Sequence, residues 1–206
     1  MPYRRAVFLD KDGTIIENVP YNVDPERIQL SPGAEEGLRQ LHRAGYPLFV
    51  VSNQAGVARG YFPESALQGV EARLRELLTA FGVPLAGFTY CPHHPEGSVE
   101  GLAVVCECRK PAPGMIVRTA AEHGIDLARS WMVGDILDDI QAGRRAGCRT
   151  ILVDSGNETK WILSPDREPH YRADNLADAA RHIIEQDDPE VGGQPVPTEG
   201  HVSPSA

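Results

Sequence analysis

The chain has 206 residues, 41% of them hydrophobic and 24% charged, which suits one domain with a full core and leaves little room for a second. Its net charge is −9 with histidine neutral, so it offers no excess basic field to a nucleic-acid or anionic-membrane partner. No apolar run is long enough to span a bilayer, and the basic start Met1-Pro-Tyr-Arg-Arg is followed by only a short apolar stretch, without a signal-peptide core or cleavage site. A cytoplasmic location is expected. The cysteines agree with a reducing compartment, because three of the four crowd together in a metal-like pattern rather than spreading out as disulfide partners.

The run from Arg5 to Leu9 ends at Asp10 and reads as a buried strand that presents Asp10-Lys-Asp-Gly-Thr at its carboxyl end. Ala34, Leu38 and Leu41 recur at helical spacing over Ala34 to Ala44, and Gly45 is a natural stop. Leu48 to Val51 is a second buried strand, leading into Ser52-Asn53-Gln54. Pro63 to Phe81 predicts an amphipathic helix with Leu67, Val70, Leu74, Leu77 and Phe81 on its apolar face and Gly82 as its end. Phe88 to Tyr90 is a third strand, and the Pro-, Gly-, His- and Cys-rich stretch from Cys91 to Pro113 is irregular. Gly114 to His123 is helical, Trp131 to Val133 is a fourth strand running into Gly134-Asp135, Asp138 to Ala146 is a short helix, and Thr150 to Val153 is a fifth strand. Asn175 caps a last helix carrying Leu176, Ala179, Ala180 and Ile183. This alternation predicts an α/β fold with three layers, a central parallel sheet covered by helices on both faces. One domain is expected over residues 1–186, with an acidic, Pro- and Gly-rich, disordered tail over 187–206.

In open α/β sheets ligands sit beyond the carboxyl ends of the strands. Asp10 and Asp12 follow the first strand, Ser52 the second and Asp135 the fourth, so the fold itself brings them together. One carboxylate of the Asp10/Asp12 pair can attack phosphorus, and the other can protonate the leaving oxygen and then activate water. A dianionic phosphate would be repelled by these groups unless positive charge is supplied. Mg²⁺ prefers hard oxygen ligands, which Asp10, Asp135 and the backbone carbonyl of Asp12 can provide. Lys110 can balance the remaining charge, and Ser52 with neighbouring N–H groups can hold the phosphoryl oxygens. Taken singly, a D-x-D-G segment suits a plain turn and Lys110 suits a solvated surface. Their joint placement at strand ends favours chemistry.

A second constellation is Cys91-Pro-His93-His94, followed after twelve intervening residues beyond His93 by Cys106-Glu-Cys108. Three thiolates and an imidazole make a closed tetrahedral Zn²⁺ site of the structural kind, and either His93 or His94 could serve. The loop has little core of its own, so metal would supply its folding energy. Reduced buried cysteines or a disulfide are the alternatives. Cys148, beside Gly147 and before an apolar strand, reads as a small core residue.

The segments FLDKDGT, VVSNQAGVARG, YCPHHPEGSVEG, CECRKPAPGM and MVGDILDDIQAG together resemble the haloacid dehalogenase superfamily. The long zinc loop over 91–108 narrows the resemblance to the heptose bisphosphate phosphatases and the related histidinol phosphatases. The resemblance covers about Arg5 to Val153. It implies a Rossmann-like phosphatase that works through an aspartyl-phosphate intermediate, with Asp10 as nucleophile and Asp12 as general acid and base. It also implies Mg²⁺ at Asp10, Asp12 and Asp135, phosphoryl stabilisation by Ser52 and Lys110, and structural Zn²⁺ at Cys91, His93, Cys106 and Cys108. Arg109 would recognise the substrate through a distal phosphate, and Asn18, Tyr21, Asn53 and Gln54 match substrate-contact regions.

The implied reaction removes the 7-phosphate of a heptose 1,7-bisphosphate, a small phosphorylated sugar on the way to nucleotide-activated heptose and lipopolysaccharide. Histidinol phosphate is the alternative substrate. A catalytically silent module that kept the sheet and zinc loop is the non-enzymatic alternative, against which stands the full set Asp10, Asp12, Lys110 and Asp135. No large insertion is present, so no bulky cap domain is expected, and the protein is expected to be a monomer. Ile136 follows the metal aspartate where relatives can carry a lysine that reaches the substrate.

Overall fold

The computed structural model describes residues 4–187. Six strands form one sheet: β1 (Val7–Leu9), β2 (Leu48–Asn53), β3 (Gly87–Cys91), β4 (Trp131–Gly134), β5 (Arg149–Val153) and β6 (Tyr171–Ala173). Their order is β3-β2-β1-β4-β5-β6, and every pair is parallel. The helices are α1 (Ala34–Arg43), α2 (Ala55–Ala58), α3 (Ala66–Ala80), α4 (Gly114–His123), α5 (Leu137–Ala146) and α6 (Leu176–Asp187).

Parallel strands need crossovers, and the intervening helices cover both faces. The central strands are therefore apolar on both sides, and alternation decides which layer each residue feeds. Val7 and Leu9 join Val50, Val133 and Ile151 against Leu38 and Leu41 of α1, Leu74 and Leu78 of α3, and Ile183 of α6. Phe8, Phe49, Val51 and Met132 point the other way, against Met115, Ile116 and Ala120 of α4 and Ala142 of α5. Full burial of each large aliphatic side chain contributes about 1.5–3 kcal/mol. The result is the expected three-layer α/β architecture.

The elements follow the predicted order with local differences. The helix expected from Pro63 begins at Ala66, because the preceding residues form turns in which Pro63 and Glu64 carbonyls accept from Ala66 and Leu67. Its buried face is Leu67, Val70, Leu74 and Leu78; Leu77 is only partly covered, since the i+4 step from Leu74 faces the core more squarely. Strand β6 and the short α2 are additions. Asp187, placed at the start of the tail by the sequence, ends α6 and accepts hydrogen bonds from Tyr46 Oη and from the Arg149 guanidinium. Positions 188–206 lie outside the described residues.

The topology sets the location of the site. The chain runs outward from β1 through β2 to β3, then returns to build β4, β5 and β6 on the other side of β1. The β1/β4 boundary is where the strand order reverses, the place where ligands enter open α/β sheets.

Candidate active site

Leu9 of β1 pairs with Val133 of β4, and the Asp10 N–H donates to Val133 O at 2.9 Å. Asp10 and Asp135 thus leave adjacent strands side by side. Carboxylate oxygens of Asp10, Asp135 and Asp139 all lie within 4.8 Å of one another, and all three residues are buried. Asp139 follows on the same strand-to-helix connection as Asp135, in the first turn of α5. Gly134 makes that approach possible, because a Cβ there would stand 2.3 Å from the Asp139 carboxylate. Gly13 does the same for Asp135. Its φ of +89° favours glycine, and a Cβ would fall 2.1 Å from Asp135 Oδ2.

Lys110 reaches this cluster from the loop before α4. Its ammonium donates to Asp10 Oδ1 and to Val51 O at 2.8 Å, and pairs with Asp139 at 2.6 Å. Asn53 clamps the lysine's backbone in both directions: its Nδ2 donates to Lys110 O at 2.9 Å, and its Oδ1 accepts from Lys110 N at 3.0 Å. Burial alone would push the Lys110 ammonium down, but Asp10 and Asp139 hold it above its ordinary value. Among the carboxylates, burial followed by the charges of Asp10 and Asp139 pushes Asp135 up to about 8. Asp139 is pushed up to about 7 by burial, with Lys110 opposing.

One ammonium cannot neutralise three clustered carboxylates, and Lys11 is turned away to Asp12 Oδ1 at 2.8 Å. Three hard oxygen donors short of positive charge fit a small divalent cation such as Mg²⁺. The side chain of Asp12 lies outside this cluster. Its carboxylate takes Lys11 and, at 3.3 Å, Gln54 Nε2, and 31% of the side chain is exposed, enough to meet a ligand in the cavity. Burial raises its pKa, against the pull of Lys11.

A cavity of about 300 Å³ opens over these groups, with Asp10, Asp12, Lys110 and Asp135 in its lining. Asn18, Tyr21, Asn53 and Gln54, expected as substrate contacts, also line it, as does Ile136. Tyr21 has a φ of 55°, unusual for a bulky residue, and its half-exposed ring meets Tyr61 edge to face at 4.7 Å. Ser52, expected to hold phosphoryl oxygens, does not line the cavity: it is buried, and its hydroxyl accepts from the lining residue Gln54 through Nε2 at 2.7 Å. Arg109 does not line the cavity. Its guanidinium makes a long 3.5 Å contact with His93 O, at the edge of the cysteine-rich loop.

That loop brings Cys91, His93, Cys106 and Cys108 together. The sulfurs stand 3.1–3.5 Å apart, and His93 Nδ1 is 3.3 Å from Cys108 Sγ and 3.6 Å from Cys91 Sγ. A disulfide requires about 2.05 Å, and all four cysteines are free. Burial, and then Cys108, push the Cys91 thiol up, so a thiolate there calls for a cation. The donor set fits a closed tetrahedral metal site. His94 faces elsewhere, with its Nδ1 accepting from Glu96 N at 3.1 Å and its Nε2 3.3 Å from the Arg59 guanidinium. Cys148 lies alone in the core, its thiol pushed up to about 12 by burial.

Asp139 is not singled out by the sequence: Asp135 precedes the extended N-cap Ile136 and Asp139 stands in the first turn of α5, so the two meet through the strand-to-helix turn and not through helical spacing. Asn157 is not singled out either. It comes from the loop after β5 and donates to Asp135 Oδ2 at 2.8 Å. Among the described residues, no helix is long and apolar enough to cross a membrane.

The chain is similar to known proteins along most of its length. A family model described as HAD-hydrolase-like matches residues 107–179. The D-glycero-beta-D-manno-heptose-1,7-bisphosphate 7-phosphatase of Salmonella typhi is 40% identical over 168 residues, 77% of this chain and 89% of the relative. The protein of the same name from Rhodopseudomonas palustris is 40% identical over 146 residues, 71% of this chain and 81% of the relative. The crystal structure of D,D-heptose 1,7-bisphosphate phosphatase from B. bronchiseptica, complexed with magnesium and phosphate, superposes with a TM-score of 0.77 at 29% identity, covering 89% of this chain and 99% of that one. By sequence and fold, this chain belongs to the D-glycero-beta-D-manno-heptose-1,7-bisphosphate 7-phosphatase family of haloacid dehalogenase-like hydrolases.

Proposed function

We propose that this protein removes the 7-phosphate of D-glycero-D-manno-heptose 1,7-bisphosphate and releases the 1-phosphate for nucleotide-activated heptose synthesis. The observation that carries this reading is the convergence of Asp10, Asp12, Lys110 and Asp135 on one cavity in a chain of this family. An Asp10 carboxylate oxygen attacks the 7-phosphorus, the bond to the sugar oxygen breaks, and Asp12 passes its proton to that oxygen. The raised Asp12 pKa favours the protonated form this step needs. Water then attacks the aspartyl-phosphate, Asp12 takes its proton, and the bond between Asp10 and phosphorus breaks to free inorganic phosphate. Asp10, Asp135 and the neighbouring Asp139 would hold Mg²⁺ together with the Asp12 carbonyl, and the ion would supply the positive charge that lets a dianion approach. Lys110 steadies Asp10 and neutralises part of the phosphoryl charge. Ser52 acts through Gln54, whose Nε2 links it to Asp12.

Arg109 is absent from the cavity lining, so a role in gripping the distal phosphate requires it to leave the weak contact at His93 O and turn toward the cavity. Its planar fork suits phosphate oxygens, and remote binding energy would orient the sugar at Asp10. The test is kcat/KM for heptose 1,7-bisphosphate, as both anomers, and for histidinol phosphate, on the wild type and on Arg109→Ala. The bisphosphate is expected to be much the better substrate, and Arg109→Ala to narrow the gap by harming it more. A wild-type preference for histidinol phosphate would replace the substrate and leave the chemistry at Asp10 standing.

The cysteine-rich loop would carry structural Zn²⁺ on Cys91, His93, Cys106 and Cys108. Elemental analysis should find about one zinc per chain. Cys106→Ser is expected to lower Tm and zinc content, with a secondary loss of activity because Arg109 and Lys110 follow directly on Cys108. Negligible zinc in the wild type, with an unchanged Tm in the variant, would rule the site out.

A further inference from the structure

The loop between β5 and β6 carries polar contacts that the reaction described above leaves without a role. Asn157 Nδ2 donates to Asp135 Oδ2 at 2.8 Å and to Ser155 Oγ at 2.9 Å, so the amide is held from behind while it holds the aspartate. The next residue makes a second attachment. Glu158 Oε2 accepts from Leu137 N at 2.8 Å, at the start of the helix that bears Asp139, and Glu158 Oε1 accepts from Lys160 N at 2.6 Å. Two successive side chains of one loop thus grip the two elements that supply Asp135 and Asp139. Space around Asn157 is tight. A Cβ on Gly13 would lie 2.4 Å from Asn157 Nδ2 and 2.1 Å from Asp135 Oδ2, so the amide, the carboxylate and the Gly13 backbone form one packed unit.

We propose that Asn157 is a positioning residue for the metal site: by donating to Oδ2 of Asp135 it holds that carboxylate in the orientation that receives Mg²⁺, with Glu158 securing the same loop to the first turn of α5. Asn157 does not line the cavity over Asp10, so it acts through Asp135 and not on substrate. An amide is suited to this task. It donates without adding charge, whereas an ammonium in its place would compete with the cation and a carboxylate would repel Asp135. Partners that orient metal-binding carboxylates typically carry a 10–100-fold effect on metal affinity or activity when lost.

This inference rests on the reading of Asp10, Asp135 and Asp139 as an Mg²⁺ site, and the test separates the two. Mg²⁺ binding to the whole protein, without substrate, is measured by calorimetry for wild type, Asn157→Ala and Ser155→Ala, alongside Tm in EDTA. If the wild type binds no Mg²⁺, the metal reading itself fails. If it does, Asn157→Ala is expected to weaken Kd by about tenfold or more, with Tm in EDTA close to wild type. In turnover, the Mg²⁺ concentration for half activation should rise by a similar factor, while KM for the sugar phosphate at saturating Mg²⁺ stays near wild type. Ser155→Ala removes only the group behind the amide and should give a smaller shift in the same direction. A wild-type Kd for Mg²⁺ in folded Asn157→Ala overturns the proposal. Should that variant fold poorly, an unaltered Kd in Ser155→Ala overturns it instead.

Discussion

Replacement of Asp10 by Asn is expected to abolish turnover, by roughly 10⁴-fold or more, while the protein stays folded. The amide keeps the shape of the carboxylate but cannot attack phosphorus. The fold should survive because Lys110, the buried ammonium that Asp10 partners, keeps Asp139 at 2.6 Å and the Val51 carbonyl at 2.8 Å. Asp12→Asn should also cripple turnover, since the proton it gives and takes would have no carrier. Steady-state assays beside circular dichroism provide the check. A well-folded Asp10→Asn protein with near-normal turnover would exclude the covalent mechanism.

The second large effect is expected at Lys110. Its side chain is 2% exposed and lies between two carboxylates, Asp10 and Asp139, the latter with a side chain 0% exposed. Lys110→Met fills similar space but leaves both carboxylates buried without their cation. Breaking a buried pair from one side costs about 3–5 kcal/mol, so a large fall in Tm should accompany the loss of activity. Adding Asp139→Leu removes one stranded charge, and the double variant should regain part of the stability while remaining inactive. Denaturant unfolding of the three proteins decides the matter. A Lys110→Met protein as stable as wild type would mean that these carboxylates are not ionised in the apoprotein, and recovery of activity in the double variant would remove Lys110 from the reaction.

Much of the fold is legible in the sequence because its central strands are continuous apolar runs bounded by polar ends, and its helices repeat at 3.6. Val7 to Leu9 and Leu48 to Val51 could hardly be anything but buried strands. Strand β6 escapes the same reading for a physical reason. It is three residues at a sheet edge, Tyr171-Arg172-Ala173, and only Ala173 is buried, so it leaves no apolar run. The site divides in the same way. Asp10, Asp12, Ser52 and Asp135 stand directly at strand ends, where topology alone predicts convergence. Lys110 and the cysteines are legible through their spacing. Asp139 merges with ordinary helix-start acidity, and Asn157 lies in an aperiodic loop whose relation to Asp135 exists only in three dimensions. Arg109 shows the converse limit: adjacency to Lys110 in sequence says nothing about direction, and its guanidinium turns toward His93 O while the Lys110 ammonium enters the cluster.

The most direct test of the proposed reaction is to follow heptose 1,7-bisphosphate by phosphorus NMR as the Mg²⁺-loaded protein acts on it. The account predicts that the 7-phosphate resonance disappears, inorganic phosphate grows in step, and the anomeric 1-phosphate resonance persists in the product. Loss of the 1-phosphate signal, or a spectrum unchanged while the protein is folded and metal-loaded, would contradict it.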